Sequence, residues 1–360
     1  MRRVLVVLCC SFLLLACAHT PGKFVLTNTE QPLVWPSEPL QARYQLQGYL
    51  VGEENYIVDQ AKQKFLKRAF RWIVGLALGE DDAMRLKRPQ SGAYDASRQR
   101  IYVTDGNAKG VFVFDGIRGE LQLWQEAGNS RGFKTPVGIA LDQTGFVYVA
   151  DATLGVIVVL NSDGEFVREL GRGTLRRPTG LAFDRVRQHL WVADSEAHKV
   201  ISLNLNGEKL TEIGGPGDAD GLFKAPTHLA YHDQRLYVTD TLNARVQIFA
   251  SDGKFLNTFG KRGIYLGNLP RPKGVAVDSQ GKVYVVESYY DYLLVYDGQG
   301  QPLLPIGGSG HGPGQFYLPA GVWVDELGRV FVADMFNGRV AVLTDLSQQT
   351  ALSATTQQTQ

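Results

Sequence analysis

The stretch Pro136-Val-Gly138-Ile-Ala-Leu-Asp142, followed by Val147-Tyr-Val-Ala-Asp151, decides the fold of this 360-residue chain. Each of its two apolar segments has the length and composition of a short β-strand, and turn residues separate them. Four similar units follow along the chain and a more divergent copy precedes it. The acidic residues that end the second segment of each copy lie 43 to 47 residues apart, at Asp105, Asp151, Asp194, Asp240, Glu287 and Asp334.

This period is the length of one four-stranded blade of a β-propeller. Six copies therefore predict an all-β fold, a six-bladed β-propeller. The segment Val156-Ile-Val-Val-Leu160 is apolar at every position, as expected for a strand whose sheet is packed between two neighbouring blades. The repeated carboxylates end strands and are expected to accept hydrogen bonds from turn amides, which is a structural role.

The count of strands predicts how the ring closes. Five blades carry their own outer strand, at residues 121–124, 166–170, 209–213, 255–259 and 302–306. The sixth copy has none, because the chain becomes polar after Leu346. We expect the missing strand to come from Ala42–Leu50 near the N-terminus, which removes an exposed sheet edge.

The motifs Asp240-Thr-Leu-Asn-Ala-Arg-Val and Asp334-Met-Phe-Asn-Gly-Arg-Val resemble the NHL repeat, and the resemblance covers residues 88–345. It implies that a ligand binds on the loop face that carries the connections between blades. Related propellers include amidating lyases that hold zinc with three histidines and gluconolactonase-like enzymes with a divalent ion in the channel.

The N-terminus has the features of an export signal. Arg2 and Arg3 precede an apolar run that is too short to span a bilayer, and Leu14-Leu15-Ala16-Cys17 closes it. This quartet resembles the lipobox of bacterial lipoproteins, which implies that Cys17 is acylated and anchors the protein to a membrane. Ala18 in place of an aspartate implies the outer membrane, with the protein facing the periplasm. An ordinary secretory signal is the alternative.

These observations divide the chain into a signal peptide (1–16), a linker (17–38), the propeller (39–346) and a disordered tail (347–360). An insertion at 55–87 interrupts the propeller. Within it, residues 63–78 have the periodicity of an amphipathic helix with a basic face. This face could contact a membrane or a partner, or it could face water while the apolar stripe packs on the propeller. Its residues are Lys64, Lys67, Arg68 and Arg71.

Basic residues concentrate in the links between blades although the net charge is only +1. Only Asp218 and Asp220 oppose them, so we expect a basic face. Arg176, Arg177, Lys261 and Arg262 are the candidate contacts, and the other basic link residues are Arg131, Lys134, Arg172, Lys224, Arg271 and Lys273. A second candidate patch, aromatic and acidic, comprises Glu287, Tyr289, Tyr290 and Tyr292, with simple blade packing as the alternative.

No catalytic residue is assigned. Among the histidines, only His228 occupies the glycine position of a Pro-x-Gly corner, and one imidazole does not make a zinc site. No cofactor is expected, although the sequence leaves open the possibility of a single Ca or Zn ion in the central channel. The sequence favours a non-catalytic envelope protein that binds a protein or an anionic polysaccharide. A lyase or lactonase with a channel metal is the alternative, and the export signal argues against a nucleic-acid partner.

Overall fold

The computed structural model describes residues 21–27, 32–57, 83–128 and 131–348. Four strands precede the first blade: β1 (Lys23–Phe24), β2 (Val34–Trp35), β3 (Tyr44–Leu50) and β4 (Tyr56–Ile57). Short 3-10 turns lie at Glu53–Asn55, Thr241–Asn243 and Met335–Asn337. No helix in the described part of the chain is long and apolar enough to cross a membrane.

The remaining strands form six antiparallel sheets, each with its first strand innermost. Blade 1 contains β5 (Pro89–Asp95), β6 (Arg100–Asp105), β7 (Gly110–Asp115) and β8 (Glu120–Trp124). Blade 2 contains β9 (Pro136–Leu141), β10 (Val147–Asp151), β11 (Val156–Leu160) and β12 (Phe166–Leu170). Blade 3 contains β13 (Pro178–Asp184), β14 (His189–Asp194), β15 (Lys199–Asn204) and β16 (Lys209–Gly214).

Blade 4 contains β17 (Pro226–His232), β18 (Arg235–Asp240), β19 (Arg245–Ala250) and β20 (Phe255–Phe259). Blade 5 contains β21 (Pro272–Val277), β22 (Val283–Glu287), β23 (Tyr292–Tyr296) and β24 (Pro302–Gly307). Blade 6 contains β25 (Val322–Val324), β26 (Arg329–Asp334) and β27 (Arg339–Asp345). The predicted all-β six-bladed propeller is confirmed, including the five predicted outer strands.

The N-terminal strand β3 completes blade 6 as predicted. It pairs antiparallel with β27 from Leu50 opposite Val340 to Tyr44 opposite Asp345. The described part of the predicted linker forms two short strands. The strand β2 adds a fifth strand to blade 6 outside β3, and β1 pairs with β4. Of the predicted insertion, residues 58–82 lie outside the described residues, and so do residues 349–360 of the tail.

Apolar packing between blades forms the core. The central strands β6, β7, β10 and β11 are buried along their whole length. Each of the six hydrophobic clusters of the described chain contains side chains from two neighbouring blades, so every sheet is covered on both faces. Burial on both faces explains why these strands read as continuous apolar runs.

The six inner strands form a closed ring around a central channel. They approach one another closely at the Pro-x-Gly corner. A Cβ atom at Gly138 would lie 2.1 Å from the carbonyl oxygen of Thr179, and one at Gly180 would lie 2.6 Å from the Cα of His228. A side chain at this corner is therefore directed at the next inner strand.

The ring has two ends. We call one end the link face, because it carries the connections from each outer strand to the next inner strand, together with the loops between second and third strands. The opposite end, the hairpin face, carries the remaining hairpins of each blade. The central channel opens at both faces.

Candidate functional site

Buried carboxylates fix the backbone of the link face. Asp105, Asp151, Asp194, Asp240, Glu287 and Asp334 are at most 1% exposed. Each accepts hydrogen bonds from the backbone N–H groups just before the inner strand of its own blade. Asp194, for example, receives those of Arg176 at 2.7 Å and Arg177 at 2.9 Å. The predicted structural role is confirmed, and it holds each link in place while its side chains stay outside.

Exposed cations surround the channel on the link face. Arg176 and Arg177 are exposed, as are Lys261 and Arg262, and none of the four forms an ion pair within the described chain. Arg262 donates to the carbonyl oxygen of Leu242 at 3.2 Å. Further exposed basic residues occupy the equivalent link positions: Lys87, Arg88, Lys134, Lys224 and Arg271.

The predicted basic face needs one correction. Arg131 and Arg172 both bind Glu169, which belongs to an outer strand and was therefore missing from a count of link residues. Their charges are neutralised locally. The predicted basic helix residues Lys64, Lys67, Arg68 and Arg71 lie outside the described residues, and so does Cys17.

The residue two positions after each strand-end carboxylate is exposed in all six blades. It is polar in blades 1 to 3, where Asn107, Thr153 and Glu196 stand. It is apolar in blades 4 to 6, where Leu242, Tyr289 and Phe336 are 52%, 57% and 47% exposed. The link face is thus divided into a polar half and an apolar half.

Arginines from the links lie over the aromatic rings of the apolar half. The Arg88 guanidinium is 5.0 Å from the ring centre of Phe336, and that of Arg271 is 5.8 Å from Tyr289. Tyr317 lies edge-on to Phe336 at 5.8 Å. Arg88, Tyr317 and Phe336 were not predicted from the sequence. Their repeat positions could have identified Arg88 and Phe336, because equivalent positions in other blades hold Arg177 and Tyr289.

The predicted acidic and aromatic patch separates into two parts. Tyr289 and Tyr290 are exposed and pack edge-to-face at 4.8 Å. Glu287 is buried, and its carboxylate accepts the N–H groups of Tyr289, Tyr290 and Arg271. Burial raises its pKa. Tyr292 is only partly exposed and packs against the core, so the contact surface reduces to the two exposed tyrosines.

A cavity of about 290 Å³ lies beside Tyr290. The link between blades 4 and 5 forms its outer wall, where Ile264, Tyr265 and Leu266 are 77%, 78% and 61% exposed. Such a concentration of exposed apolar side chains on one side of a face is typical of a binding surface. It adjoins the cations Lys261 and Arg262 in the same link.

A larger cavity, about 640 Å³, opens on the hairpin face and was not predicted. Its charged groups are mostly satisfied within the protein. Arg185 pairs with Glu326 at 3.7 Å, and Asp325 pairs with Arg329 at 2.6 Å. We take the link face as the candidate site because Arg176, Arg177, Lys261 and Arg262 have no ion pair in the described chain and can therefore meet an external charge.

Among the described histidines, His228 is the one at the Pro-x-Gly corner of an inner strand. In the described part of the chain no group of three or more His, Cys, Asp or Glu residues is placed to hold a metal ion. Burial and the nearby charge of Lys273 lower the pKa of His228 to about 3, so its imidazole is neutral at physiological pH. The imidazole of His228 is therefore a neutral group with buried ring nitrogens, and it is not assigned as a metal ligand.

No protein-family model matches the chain. It is similar to NHL repeat-containing protein 2 of Bos taurus, with 25% identity over 162 residues, which cover 36% of this chain and 22% of that protein. The chain spans a quarter or less of the length of the curated relatives it matches. This similarity supports the predicted NHL-type repeat in the matched part.

Solved propeller structures superpose on the chain. An auxiliary nutrient binding protein from Bacteroides thetaiotaomicron gives a TM-score of 0.59 at 12% identity, covering 73% of this chain and 70% of that one. A gluconolactonase from Xanthomonas campestris gives 0.58 at 16% identity, covering 91% and 99%. At these identities the likeness concerns the fold alone.

Proposed function

We propose that the protein is a non-catalytic binding protein of the bacterial cell envelope, anchored through a lipid on Cys17, whose link face binds an anionic glycan. The division of the link face carries this proposal. Unpaired exposed cations lie next to exposed aromatic rings, and two arginines already stack on such rings. Aromatic rings provide flat apolar contact area for a sugar, and arginine binds carboxylate or phosphate groups in a bidentate manner.

A protein partner with an acidic surface is the second candidate. The exposed Ile264, Tyr265 and Leu266 favour it, because apolar anchors beside charges are also typical of protein interfaces. Nutrient-binding proteins with this fold exist, which is compatible with a glycan ligand. A gluconolactonase also has this fold, so an enzymatic function is the alternative. One mole of zinc or calcium retained per mole of purified protein would favour the enzyme.

Removal of the exposed cations tests the proposal. The fourfold variant Arg176→Ser, Arg177→Ser, Lys261→Ser and Arg262→Ser should bind polygalacturonate about tenfold more weakly at low salt, with a flatter salt dependence. Its melting temperature should barely change, because exposed charges contribute little to stability. Calorimetric titration at several salt concentrations measures the affinities, and neutral dextran serves as the uncharged ligand.

A variant on the hairpin face tests whether binding depends on where the cations lie or only on the net charge of the protein. Replacing Arg43, Arg185, Arg235 and Lys254 by Ser removes the same charge from the opposite end of the propeller. We expect it to bind like the parent. Equal weakening in both variants would mean that only net charge matters, and no polyanion binding by the parent would reject the glycan in favour of a protein partner.

The lipid anchor has its own test. Cys17→Ser should leave a folded protein that no longer sediments with membranes, because each buried CH₂ of an acyl chain contributes about 0.8 kcal/mol to membrane binding. Cell fractionation in high salt and labelling with a palmitate analogue measure this. Cys10→Ser, within the same predicted signal segment, is the control and should stay lipidated. Membrane retention of the Cys17→Ser protein in high salt would reject the anchor.

A further inference from the structure

The corner position of blade 4 differs from the others. Four blades carry glycine there, blade 1 carries Ser91, and blade 4 carries His228. At the glycine corners the Cβ position faces the next inner strand, which for blade 4 is β21, and the charge of Lys273 on β21 acts on the His228 imidazole. His228 is partly exposed as a residue, yet both of its ring nitrogens are buried and have no hydrogen-bond partner among the described residues. A buried donor and acceptor without partners are costly unless a ligand or water pairs with them.

The strand that His228 faces carries Lys273. This residue follows Pro272 at the link-face mouth of the channel and is only partly exposed. In the described structure its ammonium group has no hydrogen bond and no ion pair. Burial lowers its pKa, and the charges of Arg271 and Arg88 lower it further. The charges of the two arginines thus act in the same direction as burial, and both disfavour the charged form of Lys273.

Among the described residues, no carboxylate pairs with the side chains of Lys273, Arg271 or Arg88. Asp105 and Glu287 are the strand-end acids that accept the backbone N–H groups of Arg88 and Arg271, so their carboxylates are already occupied. Asp334, at the end of β26, is occupied by the N–H of Tyr317 and by Asn337 and Arg339. The side chains of Arg88 and Arg271 have no ion pair among the described residues, and each guanidinium lies over an aromatic ring.

We propose that the link-face mouth of the central channel binds one small oxyanion, a phosphate or carboxylate group, through Lys273, Arg271 and Arg88, with His228 as a neutral hydrogen-bond partner below. An ammonium group and two guanidinium groups supply many donors for several oxygens of one anion. The site goes beyond the proposed glycan surface, because it depends on Lys273 and His228 and can be filled by a free anion or by a charged group of a glycan.

Inorganic phosphate is the first probe, added to the full-length protein at constant ionic strength with chloride as reference. We expect a saturable rise in melting temperature, since a ligand that binds only the folded state stabilises it. Lys273→Gln, which introduces the residue found at the equivalent position 90, should weaken phosphate binding at least about tenfold. His228→Gly restores the repeat's common corner residue and should weaken it about threefold, by loss of one hydrogen bond.

The double variant Arg235→Gln and Lys254→Gln is the control, and its phosphate affinity should stay within about twofold of the parent, because these exposed charges lie on the hairpin face, away from the channel mouth. Circular dichroism verifies folding of each variant. Phosphate that stabilises no more than chloride, or a folded Lys273→Gln protein with unchanged phosphate affinity, would overturn the proposal.

Competition identifies the source of the oxyanion. Displacement of galacturonate by phosphate in the parent, with both lost in Lys273→Gln, would assign the site to a carboxylate group of a glycan. Phosphate binding that persists while polygalacturonate stays bound would assign it to a free anion. Failure of polygalacturonate binding alone would reject the proposed function and leave the oxyanion site standing.

Discussion

Deletion of residues 18–50 is expected to abolish the cooperative folding of the propeller. The deletion removes β3, whose Tyr44, Leu46, Tyr49 and Leu50 are at most 7% exposed and pack in the clusters on both sides of blade 6. Burial of each large apolar side chain contributes about 1.5 to 3 kcal/mol. Their combined loss approaches the whole stability of a typical domain, about 5 to 15 kcal/mol.

The remaining edge makes the effect larger. Without β3, the backbone groups of β27 between Val340 and Asp345 lose their partners. An unpaired edge of this kind recruits strands from other molecules. We therefore expect aggregates or oligomers in size-exclusion chromatography and no sharp thermal transition by circular dichroism.

Two controls make this result specific. A protein that begins at Pro21 keeps β1 to β3 and should melt like the longer chain. A synthetic peptide of residues 32–57, added to the deletion variant during refolding, should restore a monomer because it supplies the missing strand in trans. A monomeric deletion variant with the parental melting temperature would show that the closing strand is dispensable.

Replacing the strand-end carboxylate of blade 1 is expected to have the second large effect. Asp105 is fully buried and accepts four backbone N–H groups, those of Lys87, Arg88, Asn107 and Ala108, at 2.6 to 2.9 Å. In Asp105→Ala these donors lose a charged acceptor, and some stay buried without a partner. We expect a loss of about 3 to 5 kcal/mol in the free energy of unfolding.

Chemical denaturation measures this loss. Asp105→Asn keeps one acceptor oxygen and the shape of the side chain, so we expect about half the effect. Asp163→Ala removes a carboxylate that is 59% exposed and should change stability by less than about 0.5 kcal/mol. Similar losses for Asp105→Ala and Asp163→Ala would contradict the structural role of the repeated acid.

The repeat made most of the fold predictable. Apolar strands and turn residues recur with a fixed period in every blade, so the strands, their order and the segment that supplies the closing strand follow from counting. The repeated acid was correctly interpreted for the same reason, because its position between a strand and a turn already defines its donors.

The candidate site was less predictable, because the sequence does not show which charged side chains the fold brings together. Glu169 neutralises Arg131 and Arg172 from an outer strand, so the predicted basic face is smaller than the count of link residues suggested. Glu287 was predicted both as a strand-end acid and as part of the aromatic contact patch, and its buried carboxylate has the first role. Position in the repeat would have been a better guide than local composition.

The position of the first described residues constrains which face of the propeller would lie toward the membrane. The N–H of Gly22 donates to the carbonyl oxygen of Gly119 at 2.8 Å, in a turn of blade 1 on the hairpin face. Five residues span at most about 18 Å when fully extended. With the proposed lipid on Cys17, the bilayer surface is therefore held close to the hairpin-face edge of blade 1. The link face then points into the aqueous compartment, where a long polymer can reach it without steric hindrance from the membrane.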